Sequence, residues 1–104
     1  MQRARTVEEY IALVKEALYE IDEMRASIAY DEEGMGDAIK YIDELEYNMK
    51  EIFDLMASGD YCWRTGDLKY MDIIRHMDEG MLPFRSLLIR INETHKKGLE
   101  TDED

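Results

Sequence analysis

Apolar side chains recur in this chain at alternating spacings of four and three over three long stretches, the repeat that holds one face of an α-helix against neighbouring helices. The first stretch runs through Val7, Ile11, Val14, Leu18, Ile21, Arg25 and Ile28, with Arg25 its only polar member. Tyr10, Ala17 and Met24 widen it on one flank, which suits a helix that touches two neighbours at once. Its start is marked by Thr6 with Glu9 three residues on, a pair that can satisfy amides the helix cannot bond internally. The second stretch runs through Met35, Ala38, Ile42, Leu45, Met49, Ile52 and Met56 and stops at Ser58 and Gly59, where glycine suits the left-handed residue after a helix. Asp31, Glu32, Glu33, Gly34 and Gly36 mark the turn between the two, because three adjacent acids resist burial and glycine relieves strain.

The third stretch, after a connection over residues 60–66, carries the sharpest conflict in the sequence. Tyr70, Ile74, Met77, Met81, Phe84, Leu88, Ile91 and His95 keep their phase across Pro83, although proline removes a helical hydrogen bond and crowds the preceding turn. Unbroken phase predicts one helix from about Asp67, its N-cap, to Lys97, bent at Pro83. The expected fold is therefore all-α: an antiparallel three-helix bundle with coiled-coil-like heptad seams, its third helix long and kinked. The alternative is a four-helix up-down bundle with a full break at Pro83. A helix outrunning its neighbours would leave apolar stripe uncovered, and the expectation drawn from that is a homodimer. At 104 residues the chain is expected to form one helical-bundle domain, with residues 98–104 a frayed acidic tail.

Charge narrows the partners. A formal net charge of −12 repels phosphate backbones and anionic lipid, so nucleic acid and membrane are disfavoured and another protein, basic in character, is favoured. The charge is uneven, with 16 acids and 4 bases over residues 6–60 against 5 acids and 7 bases over residues 61–99. The lone Cys62 cannot form an internal disulfide, and no apolar signal segment follows Met1, so the cytoplasm is the expected location. With only Arg64 beside it to lower its pKa, Cys62 is expected to be a buried or incidental thiol.

Few residues suggest chemistry. Glu20 and Glu23, with Glu51 and Asp54, form Glu-x-x-Glu and Glu-x-x-Asp pairs that resemble those of all-α nucleotide pyrophosphatases of the MazG kind. That resemblance implies a divalent-metal site and a metal-dependent pyrophosphatase as the alternative function. Helical periodicity, however, directs all four carboxylates away from the apolar stripes. His76 with Gly80 slightly resembles a histidine phosphotransfer module, but Glu79 stands where that family places a basic residue, and Asp72 and Asp78 add like charge. A di-iron site would need Glu-x-x-His pairs, and neither histidine has one. His95 reads as a partly buried cap at the end of the third helix.

No catalytic, cofactor-binding or metal-binding residue is therefore assigned, no cofactor is expected, and an enzyme is the less favoured reading. The internal methionines, Met24, Met35, Met49, Met56, Met71, Met77 and Met81, read mainly as core. Aromatic residues outside the stripes are the candidates for partner binding: Tyr30 and Tyr47 on polar helix faces, and Tyr61 and Trp63 in the long connection, where Trp63 could equally plug one end of the bundle. The functional expectation is a small acidic intracellular helical module for protein–protein interaction or regulation, self-associating.

Overall fold

The computed structural model describes residues 3–30, 36–63, 65–76 and 82–100, with side chains described for all of these except 28–30 and 36–39. Its elements are four helices: α1 (Val7–Tyr30), α2 (Gly36–Ser58), α3 (Met71–His76) and α4 (Arg85–Lys97). No strand occurs among the described residues. None of the helices is long and apolar enough to cross a membrane.

The start of α1 is built as its sequence requires, with one variation. Thr6 Oγ1 accepts the Glu9 N–H at 3.1 Å, while the Glu9 carboxylate reaches past Thr6 to accept the Arg5 N–H. The buried face of α1 is Tyr10, Leu13, Val14, Ala17 and Ile21, with Leu18 and Met24 packed at its edges. The stripe is thus turned toward the Tyr10–Ala17–Met24 flank, leaving Val7 exposed and Ile11 only half-buried. The cause is that α1 packs on both α2 and α4, so the arc between those two neighbours is the one covered. Arg25 lies on the rim of this face and pairs with Asp43 and Glu46 of α2.

α2 ends in a Schellman turn. Asp60 N–H donates to Leu55 O at 3.0 Å, Gly59 N–H donates to Met56 O at 3.3 Å, and Gly59 takes φ of +79°. Ile42, Leu45, Met49 and Ile52 are buried on its inner face. Pairing with α1 runs in opposite order along the two helices: Tyr10 meets Tyr61, Lys15 lies over the Phe53 ring, and Arg25 meets Asp43. The two therefore form an antiparallel hairpin. The expected turn residues Asp31 to Gly34, and Met35 after them, lie outside the described residues, as do the side chains of Ile28 and Ala38.

The third stretch departs from the expected single helix. Leu82 is non-helical and Pro83 and Phe84 form a turn, closed by the Arg85 N–H donating to Leu82 O, so α4 begins afresh at Arg85. The ring of Pro83 disfavours helical geometry at Leu82, and the chain yields to that local demand. Tyr70, Ile74, Phe84, Leu88, Ile91 and His95 are nonetheless all buried. A shared buried face therefore does not require a shared helix axis; Met77, Gly80 and Met81 lie outside the described residues. As described, α3 has 6 residues and α4 13, against 24 and 23 in α1 and α2.

Polar side chains fasten this second half. α3 starts at Met71, so Asp67 is not its N-cap. The Asp67 carboxylate instead accepts from Asn92 Nδ2 at 3.1 Å and pairs with Arg75 and Lys96, while Asn92 Oδ1 accepts the Leu68 N–H at 2.8 Å. Those donors hold Asp67 at a pKa of about 2, with the Asn92 hydrogen bond the largest cause. Tyr70 donates its hydroxyl to the Leu88 carbonyl, joining the segment before α3 to α4. At the far end of α4, Ala4 N–H donates to Thr94 Oγ1 and Glu100 N–H donates to Ala4 O. The tail expected to fray from residue 98 is thus tied down as far as Glu100; residues 101–104 lie outside the described residues.

Candidate functional site

The Schellman turn at Gly59 sends residues 60–63 back across the mouth of the hairpin. Tyr61 there stacks at a tilt against Tyr10, with ring centroids 5.6 Å apart, and edge-on against His95 at 5.6 Å. Its hydroxyl lies 2.8 Å from the Tyr10 hydroxyl and 2.5 Å from His95 Nδ1. The order that satisfies all three groups is Tyr10 donating to Tyr61 and Tyr61 donating to an Nδ1 that carries a lone pair. Burial raises the Tyr10 phenol far above its ordinary value and pushes Tyr61 up to about 12, so both are neutral at physiological pH. The chain joins α1, the connection and α4 at one point and fixes the loop that carries Trp63.

Trp63 packs edge-on against both tyrosines, 4.9 Å from Tyr10 and 5.1 Å from Tyr61. It still leaves 37% of its surface open, and Val7 leaves 41%. Val7, Met56, Gly59, Tyr61 and Trp63 together line a shallow groove of about 150 Å³. Tyr61 also lines a larger cleft of about 420 Å³ against α2, its walls including Glu51, Ile52, Leu55, Asp60 and Tyr70. Beyond Trp63, in a third depression, Lys96 and Lys97 close the surface.

Of the four aromatic residues singled out in the sequence, the structure brings together Tyr61 and Trp63. Trp63 both plugs the hairpin mouth and presents an open edge. Tyr47 stands 70% exposed on the outer face of α2, away from this corner, and the Tyr30 side chain lies outside the described residues. Cys62 is exposed, not buried, with its thiol directed at Asp60 O. His95 is buried in the last turn of α4, where its Nδ1 is engaged by Tyr61. His76 is exposed, with Nδ1 2.6 Å from the Asp72 carbonyl of its own turn.

Three residues of the corner escaped sequence reasoning. By their spacing Val7 and Met56 belong to core stripes and Tyr10 to a flank; nothing local signals that Gly59 folds the connection over all three. The flank Tyr10, Ala17 and Met24 points to the buried face of α1, which also takes in Leu13, but not to what covers it. The carboxylates that resemble a pyrophosphatase site do not converge. Glu20 is half-exposed and Glu23, Glu51 and Asp54 are exposed, and Glu51 alone of them borders the cleft. Among the described residues no group of three or more His, Cys, Asp or Glu is arranged to hold a metal ion. No protein-family model matches this chain, and no curated protein or solved structure is significantly similar to it.

Proposed function

We propose that this chain is a small protein-binding module, of adaptor or regulatory type, that engages its partner through the corner formed by Val7, Met56, Tyr61 and Trp63. The observation that carries the reading is the open groove between Val7 and Trp63, set on an aromatic cluster that hydrogen bonds already hold rigid. Large apolar side chains held in one conformation give binding energy with little ordering cost. A lone exposed thiol at Cys62 suits a reducing compartment, and the cytoplasm is the proposed setting.

Self-association is the weaker form of this reading. Among the described residues no single helix runs through Pro83 to supply the overhang that suggested it, and two chains of −12 repel each other. The decisive experiment is affinity capture from native cells with the wild-type chain, Trp63→Ala, Val7→Ser and Tyr47→Ala, with light scattering to report the oligomeric state. Partners lost with the two groove variants and kept with Tyr47→Ala are the expected result. A set of captured proteins unchanged by either groove variant would refute the reading.

A further inference from the structure

We infer that the partner element is a cationic amphipathic segment that straddles Tyr61, placing an apolar side chain in the Val7–Met56–Trp63 groove and a lysine or arginine in the adjoining cleft. The inference rests on the protein-binding reading and specifies its partner by chemistry. Tyr61 lines both depressions, so one short segment laid across it reaches both. The groove is lined by apolar and aromatic side chains. The cleft is bordered by Glu51 and Asp60, neither of which forms an ion pair among the described residues, beside the apolar side chains of Ile52 and Leu55. That lining matches an aliphatic stem ending in a cation.

Nearby charge fixes the direction. Lys96 and Lys97 line the depression beside Trp63 and disfavour a basic end laid there, with Lys96 also paired to Asp67 at the edge of the cleft and Lys97 to Glu93. Among the described residues Lys69 is the one cation lining the cleft, and the third carboxylate there, Asp67, is already taken by Arg75, Lys96 and Asn92. The hairpin behind the site carries the chain's charge excess, 16 acids against 4 bases over residues 6–60, and steers a basic segment toward it.

The test uses the full chain and a fluorescein-labelled amphipathic peptide of leucine and lysine, followed by anisotropy, beside two controls in which glutamate replaces lysine or serine replaces leucine. Saturable binding of the first peptide alone is expected. Glu51→Gln with Asp60→Asn should weaken it about fivefold, and Trp63→Ala or Val7→Ser should weaken it about tenfold or less. Glu16→Gln with Glu23→Gln removes the same charge from the exposed outer face of α1 and should leave it within twofold. Equal weakening by the two double variants would mean bulk attraction and overturn the inference, as would equal binding of the glutamate peptide or no saturable binding of the leucine–lysine peptide. Those failures leave the capture experiment intact, so a groove-dependent partner that is acidic or neutral would separate the two ideas.

Discussion

The α1–α2 hairpin and the α3–α4 half solve the same problem by different means. The hairpin is long, regular and strongly acidic, and its contacts repeat along two continuous helices whose apolar faces meet. The second half is short, broken at Pro83 and close to neutral, and specific polar side chains bind its pieces: Asp67, Tyr70, Asn92 and Thr94 each bond to an element distant in sequence. A six-residue helix such as α3 cannot persist on its own propensity, so tertiary hydrogen bonds take the place of length. The aromatic corner sits where the two halves meet, and Tyr61 bonds to both, through Tyr10 on one side and His95 on the other.

This contrast can be broken by substitution. The largest effect is expected in the hairpin: Leu45→Ala empties a fully buried site and should cost about 3 kcal/mol of global stability, read from urea denaturation. Asn92→Ala in the second half should cost about 2 kcal/mol, because it strands the Leu68 N–H and removes a donor to Asp67. Hydrogen exchange separates the two variants. Asn92→Ala should lower amide protection over residues 68–76 while α1 and α2 keep theirs, and equal loss everywhere would show that the halves open as one unit.

Asp67→Asn sharpens the comparison through pH. The native carboxyl titrates near 2, below the ordinary value of 3.8, so between those values the unfolded chain binds more protons. Its stabilisation is present above pH 4 and disappears as pH falls toward 2. The variant should therefore show a flatter decline in urea midpoint across pH 4 to 2 than the parent. Asp67 is about one-third exposed, so the effect at neutral pH is small. Pro83→Ala is expected to do least: the turn at residues 82–84 is anchored by buried Leu82 and Phe84, so circular dichroism should show no gain of helix and stability should fall by less than about 1 kcal/mol. A clear rise in helix content would show that proline alone separates α3 from α4.

Much of the hairpin was legible because its signals are local. Thr6 and Glu9 open α1, Gly59 closes α2, and Ile42, Leu45, Met49 and Ile52 carry an inward face at helical spacing. The site was legible only in its composition. Tyr61 and Trp63 stood out as aromatic residues in a connection, yet Val7, Tyr10, Met56 and His95 join them through a fold-back that no spacing encodes.

The sequence by itself determined that this chain is helical, where its first two helices begin or end, and that its charge lies mostly before residue 60, since each follows from neighbours within a few turns. Tertiary structure decided which arc of α1 is buried, because α4 as well as α2 covers it. It decided that an unbroken apolar phase across Pro83 belongs to two helices, because phase records which face is buried and not whether the axis continues. It also decided that Val7, an apparent core residue, stands open beside Trp63, because covering a side chain is a property of what folds over it.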